Sequence, residues 1–290
     1  MLAHAAPAAS TDADLVLTAQ QLHHFDIFGF LKLPGLIAHR IAEVIEDFER
    51  LWREHGGGHN GRPHDEKQRS CIYPFIDQDA RLSSLLDDPG IHGLASSLLG
   101  EDFNYIGSDG NFYASDTVWH PDGNRISPRY VKIAIYLDTL DGNSGALRVV
   151  PGSHRVGEPY ASAVRESVPA SMDRLGVHGS HVPAIMLDTV PGDVLVFNHN
   201  LLHASFHGSE RRRMFTLNLC QHHTDEQIGE LQNYLSNHAR FLINRNVGPA
   251  MLAGAGPQRQ RHLDQVLAND FGIAERLPEF LRTRSEPSRG

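Results

Sequence analysis

The chain has 290 residues, 26 Lys+Arg against 35 Asp+Glu, a formal charge of -9, 40% hydrophobic and 21% charged residues. This profile excludes a disordered or fibrous protein, and the scattered basic residues argue against nucleic acid or an anionic membrane as partner. Two cysteines, Cys71 and Cys220, exclude a disulfide framework and match no zinc-finger spacing.

After a loose first dozen residues, Thr18 and Gln21 form a capping-box pattern that opens a helix running to Phe28. Gly29 ends it, and Phe30 to Leu33 reads as a strand closed by Pro34-Gly35. Ile37, Ile41, Val44, Ile45, Phe48, Leu51 and Trp52 recur at helical spacing until the glycines from Gly56 stop them. Residues 56–70 read as a polar loop, and a third helix is expected from Asp88-Pro89 to Leu99. From about Phe103 the texture changes to short apolar or alternating runs between turn residues: 103–107, 111–114, 130–137, 147–150, 184–188, 194–197 and 214–220. Such a series indicates a β-sandwich or barrel. Residues 154–183 read as a second long loop, a lid candidate like 56–70. Helical periodicity returns as one long helix capped by Asp225, a further helix spans 262–270, and a polar tail follows. The whole is expected to be a single domain over 1–290: N-terminal helices 17–100, a β core about 101–222, C-terminal helices about 225–275.

No run approaches the roughly 18–20 apolar residues of a membrane span. Met1 to Ser10 lacks the basic start and apolar core of a signal peptide, so a cytoplasmic protein is expected. Oligomeric state is not legible.

The 19 histidines pose the main question. A two-histidine, one-carboxylate metal site needs a close His-x-Asp/Glu pair and a distant second histidine. Against 35 acids in 290 positions, about two such pairs are expected by chance, and five occur. His24/Asp26 and His262/Asp264 lie in predicted helices, where residues two apart diverge by about 200°. His64/Glu66 lies in the polar loop, and the Asp225 of His223/Asp225 reads as a helix cap. His120/Asp122 alone ends a strand-like run, where alternate residues share one side. The pair reads equally well as an Asp-Gly turn after a strand-end histidine. Downstream, His203 follows the apolar strand Val194 to Phe197, and Arg213 closes a basic triplet before an alternating strand. A later strand thus offers a third ligand, and an arginine that suits a bound carboxylate. A buried structural histidine and a solvated Arg211-Arg213 cluster remain the plain alternatives.

Taken together, Thr117-Val-Trp-His120-Pro-Asp122, Val131 to Asp138, Asn143-Ser-Gly-Ala-Leu147, Pro151-Gly-Ser-His154-Arg155, Pro191-Gly-Asp-Val194 and His203-Ala-Ser205 with Arg213 resemble the phytanoyl-CoA dioxygenase family. The resemblance runs from about residue 17 to 222 and includes the ectoine-hydroxylase-like branch. It implies a mainly β fold with flanking helices, built on a double-stranded β-helix (jelly-roll, cupin-like) core. It also implies Fe(II) with 2-oxoglutarate and O2 as co-substrates, and hydroxylation of an unactivated C–H bond of a small molecule with release of succinate and CO2. By the same resemblance His120, Asp122 and His203 match the iron ligands, Arg213 the arginine for the distal 2-oxoglutarate carboxylate, and Ser205 its hydroxyl partner. Asn111 is a further co-substrate candidate, and His154 belongs to a structural turn. Relatives that halogenate replace the acidic ligand by Gly or Ala, so Asp122 favours hydroxylation. Arg125 and Arg129 are open between substrate contacts and surface, and the aromatics Phe112, Tyr113 and Trp119 between pocket and core. The alternative function is a non-catalytic jelly-roll binding protein with a vestigial metal site. A zinc hydrolase is remote, since no HExxH helix is present.

Overall fold

The structure, a computed structural model, describes residues 14–56, 59 and 61–290. In chain order the helices are α1 Ala19–Phe28, α2 Ile41–His55, α3 Ala80–Ser83, α4 Pro89–Leu99, α5 Pro159–Ser167, α6 Ser171–Leu175, α7 Ile228–Ser236, α8 Pro249–Ala253, α9 Pro257–Asn269 and α10 Phe271–Thr283. The strands are β1 Phe30–Leu33, β2 Ser70–Ile72, β3 Asn104–Gly107, β4 Gly110–Tyr113, β5 Thr117–His120, β6 Tyr130–Tyr136, β7 Leu147–Val149, β8 Ile185–Leu187, β9 Val194–Asn198, β10 His203–Ser205 and β11 Arg212–Cys220. Helical residues outnumber strand residues, but the sheets position the site.

Local signals form as expected at the N-terminal end. Thr18 and Gln21 close a reciprocal capping box on α1. Gly29 ends that helix at φ 85°, and a Cβ there would meet the His154 ring at 2.5 Å, so the position needs glycine twice over. Asp88 caps α4 through the backbone N–H groups of Gly90 and Ile91.

Two antiparallel sheets face each other as a double-stranded β-helix. The larger has the order β1-β9-β6-β11-β4-β2, with β3 on the far half of β11; the smaller is β5-β10-β7-β8. Strand alternation sorts side chains between two buried faces. On β6, β9 and β11 the residues Val131, Ile133, Ile135, Val194, Val196, Phe215, Leu217 and Leu219 join the large core shared with α2, α4 and α9. The intervening Ala134, Tyr136, Leu195, Phe197 and Met214 turn inward between the sheets. A sheet covered on both sides explains why these strands read as continuous apolar runs rather than clean alternation.

The structure differs from expectation in several places. The 154–183 segment carries α5 and α6; Arg165 of α5 donates to the Gly123 carbonyl at 3.2 Å, just past the His120/Asp122 pair. Of the 56–70 stretch, residues 57, 58 and 60 lie outside the described residues, and β2 begins at Ser70. Thr224, not Asp225, caps the short 3-10 turn Asp225–Gln227 that leads into α7, in a box with Gln227, because a Thr-x-x-Gln spacing satisfies two backbone donors at once. The expected long helix is α7 followed by a tighter turn over Asn237–Phe241. The 262–270 helix starts earlier, at Pro257, and much of the expected tail is α10, with Pro278 inside it. No helix among the described residues is long and apolar enough to cross a membrane.

Candidate metal centre and adjoining cavities

Antiparallel pairing of β5 with β10 sets His120 directly opposite His203. Asp122, one turn past β5, is fixed from behind: its own N–H and that of Gly123 both donate to the His199 carbonyl, at 2.8 and 2.9 Å. His120 Nε2 lies 3.9 Å from Asp122 Oδ1, and His203 Nε2 lies 3.7 Å from Oδ2. The three side chains alone, among the described residues, offer a cluster of ligand atoms within 4.8 Å of one another.

Each imidazole is oriented by its other nitrogen. His120 Nδ1–H donates to the Val118 carbonyl at 2.7 Å and His203 Nδ1–H to that of Leu201 at 2.9 Å. This tautomer leaves both Nε2 lone pairs facing the carboxylate, and the Nδ1–H bonds to backbone carbonyls fix the ring orientation as in metal-bound histidine. Burial pushes His203 down to about 4, so the ring is neutral near pH 7. Burial opposes the charge on Asp122, but Lys132 and the neighbouring histidines outweigh it and hold the carboxyl below its ordinary range. Lys132 Nζ sits 2.8 Å from Asp122 Oδ2. Two neutral nitrogens and an ionised carboxylate suit a divalent transition ion that keeps further positions open.

Lys132 was not singled out by sequence reasoning. Its signal is one of position: a lysine in the apolar strand Tyr130–Tyr136, on the parity of Ala134 and Tyr136, must point between the sheets and therefore needs a buried partner.

The triad stands where two cavities meet. The inner one lies between the sheets, walled by Tyr136, Leu147, Phe197 and Met214, and holds Ser205 of β10 and Arg212 of β11. The outer one opens beside His120, Asp122 and Lys132 and is walled by His199, Tyr234, His238 and Arg240 among others. Arg69 lines both cavities.

Arg213 is not in either cavity, which corrects the expectation for it. Its guanidinium pairs with Asp138 at 2.6 Å and Glu49 at 2.8 Å, tying β11 to the end of β6 and to α2. The cause is parity: Arg213 shares the helix-covered side of β11 with Phe215 and Leu217, whereas Arg212 shares the inner side with Met214 and Thr216. Arg212 is 2% exposed and donates to Ser205 Oγ at 2.6 Å and to the Gly145 carbonyl at 3.0 Å. Ser205 therefore lines the inner cavity beside Arg212, not Arg213. Gly145 explains the Asn-Ser-Gly-Ala motif: at φ 94°, a Cβ there would reach Arg212 Nη1 at 2.0 Å.

Asn111 lines neither of these two cavities. Its amide oxygen accepts from Arg69 Nε at 2.9 Å and its nitrogen donates to Asp109 at 2.7 Å, so it steadies Arg69. The Pro-Gly-Ser-His turn is structural: Ser153 Oγ accepts from the Leu202 N–H at 2.8 Å, bracing the start of β10, and His154 packs on Gly29. Arg125 lines the outer cavity but is ion-paired with Glu230. Arg129 lies away from it, on Asp26 at 2.9 Å. Tyr113 lines the inner cavity, whereas Phe112 and Trp119 pack in the core.

A His-Asp-His donor set at the mouth of a double-stranded β-helix defines the class, a non-haem oxidoreductase. The sequence model described as phytanoyl-CoA dioxygenase (PhyH) matches residues 25–215. The chain belongs to the phytanoyl-CoA dioxygenase family. It is 27% identical over 214 residues to the ectoine dioxygenase of Nocardia farcinica, covering 64% of this chain and 72% of that protein. To the L-proline trans-4-hydroxylase of Streptomyces griseoviridis it is 26% identical over 182 residues, covering 57% and 64%. Among solved structures, EctD from S. alaskensis with 2-oxoglutarate and 5-hydroxyectoine superposes with a TM-score of 0.53 at 21% identity, covering 74% of this chain and 79% of that one. HygX from Streptomyces hygroscopicus with iron bound gives 0.54 at 18% identity, covering 71% and 88%. These likenesses establish the fold. The family match stops at Phe215, so Tyr234, His238 and Arg240 of the outer cavity lie outside it.

Proposed function

We propose that the chain is an Fe(II)- and 2-oxoglutarate-dependent dioxygenase that hydroxylates an unactivated C–H bond of a small molecule, releasing succinate and CO2. One observation carries this reading: the His120, Asp122 and His203 donors converge on a cavity that also holds the buried Arg212–Ser205 pair, Ser205 from β10 and Arg212 from β11 of the facing sheet. An anion long enough to reach both groups and bearing an acid at each end is what such a cavity accepts.

In this reading His120 and His203 hold iron through Nε2 and Asp122 through its carboxylate. When bound, the iron with 2-oxoglutarate and O2 supplies the oxidising chemistry. The rest belongs to the chain. Arg212 receives the distal carboxylate of 2-oxoglutarate through charge-assisted hydrogen bonds, with the Ser205 hydroxyl beside it. Lys132 keeps Asp122 ionised and fixed in position. Tyr136, Leu147, Phe197 and Met214 limit water around the co-substrate. The outer cavity, opening on the same triad, is left for the molecule to be oxidised. Ectoine and L-proline in the relatives' names support a small substrate.

The test is O2-dependent succinate formation from 2-oxoglutarate by Fe(II)-loaded protein. His120→Ala and Asp122→Ala are expected to abolish it. Failure of the native protein to bind either Fe(II) or 2-oxoglutarate would overturn the reading and leave a jelly-roll binding protein.

A further inference from the structure

Among the described residues, the outer cavity contains a guanidinium without a carboxylate side-chain partner and an unsatisfied ring. Three of its four cationic side chains already have acid partners. Arg69 pairs with Asp109 at 3.0 Å, Lys132 with Asp122 at 2.8 Å, and Arg125 with Glu230. The fourth, Arg240, has no carboxylate partner among the described residues. Its guanidinium carbon lies 4.5 Å from the Phe241 ring centroid, and Nη1 donates to the Asn237 carbonyl at 3.4 Å, a long and weak contact. Independently, His199 is 3% exposed and lines the same cavity, yet neither ring nitrogen has a hydrogen-bond partner. A buried imidazole left unpaired on both nitrogens costs free energy that a bound molecule can recover.

We propose that the substrate is a small organic carboxylate that also carries a neutral hydrogen-bonding group, such as a hydroxyl. Arg240 receives the acid and His199 bonds the polar group, which holds the molecule against the His120/Asp122 side of the triad. One free guanidinium balances one negative charge, which favours a monocarboxylate over a doubly charged phosphate ester. Arg240 belongs to the helical segment beyond the family match, so recognition of the acid is added by the C-terminal part of the chain, whereas His199 lies within the match. The inference rests on the preceding reading, that 2-oxoglutarate takes the inner cavity and leaves the outer one to substrate.

The test uses full-length protein loaded with Mn(II) and saturating 2-oxoglutarate, so that added acids cannot enter the inner cavity. Calorimetric titrations compare 3-hydroxybutyrate with 3-hydroxybutyramide, and cyclohexanecarboxylate with cyclohexanecarboxamide; glycerol 2-phosphate is the phosphate arm. The native protein is expected to bind each acid about tenfold or more tightly than its amide, the scale of one charge-assisted contact. Arg240→Gln should bring acid and amide within about twofold, whereas Arg240→Lys keeps most of the preference. His199→Phe should weaken 3-hydroxybutyrate and spare cyclohexanecarboxylate. Equal binding of acids and amides, no acid binding below about 10 mM, a preference surviving in Arg240→Gln, or tighter binding of glycerol 2-phosphate would each overturn the proposal. Binding of 2-oxoglutarate is titrated separately and should not change in these variants. Its absence in the native protein is a failure of the dioxygenase reading, distinct from the acid–amide comparison.

Discussion

Arg212 and Arg213 are adjacent in sequence and opposite in space, which makes the pair of substitutions Arg212→Gln and Arg213→Gln decisive. Arg212 is 2% exposed; its guanidinium hydrogen-bonds to Ser205 Oγ and the Gly145 carbonyl and lies over the Tyr113 ring, with no carboxylate partner among the described residues. A bound carboxylate would be that partner. Losing a buried, charged contact of this kind costs about 3 kcal/mol, or roughly 10²-fold in affinity. Arg212→Gln should therefore raise the Kd for 2-oxoglutarate, measured by titration of Mn(II)-loaded protein, by about two orders of magnitude. Arg213 is ion-paired to Asp138 and Glu49 and is only half-buried. Its removal should lower thermal stability by about 1 kcal/mol after allowance for solvent screening, and leave the Kd within about twofold. The reasoning is refuted if Arg213→Gln weakens 2-oxoglutarate as much as Arg212→Gln does.

Lys132→Met leaves Asp122 without its counter-ion. The metal-free protein should lose about 2 kcal/mol, and saturating Mn(II) should restore most of it by taking over the neutralisation, as read from melting curves with and without the ion. A loss that Mn(II) does not repair would place the role of Lys132 in packing. Several buried histidines outside the triad make stability pH-dependent. Burial pushes His59, His154, His223, His238 and His262 down to about 4. Because these folded values lie below the unfolded 6.5, the stability at stake is complete above pH 6.5 and is lost as pH falls toward 4, by up to about 3 kcal/mol per histidine. Urea unfolding at pH 7 and pH 5 should show the fall, and His262→Gln should make it shallower; an unchanged pH difference in that variant would show His262 to be charged already.

Much of the architecture is written locally. The Thr18–Gln21 box, the Asp88 cap and the stop at Gly29 depend on hydrogen bonds within a few residues, so their pattern can be read without knowing the fold. His120/Asp122 could be picked from five similar pairs because helix and strand periodicity decide which residues share a side. The long-range features were not legible in this way. Which residue of Arg211-Arg212-Arg213 turns inward depends on the register of β11 against β4 and β6, where one residue of slip exchanges the two faces. Lys132 meets Asp122 only once β6 is laid across from β5. The outer cavity joins residues as far apart as Arg69, His199 and Arg240.

Length, charge and composition could exclude classes of protein, and a series of motifs could point to a family and to the three side chains that converge at the candidate metal centre. Periodicity acts over one or two turns of chain, which is enough for those tasks. The identity of the inward arginine, the ion pair that governs Asp122, and the unpaired Arg240 in a second cavity follow from strand register and from packing between distant segments. Those contacts are made across space, where no local pattern records them.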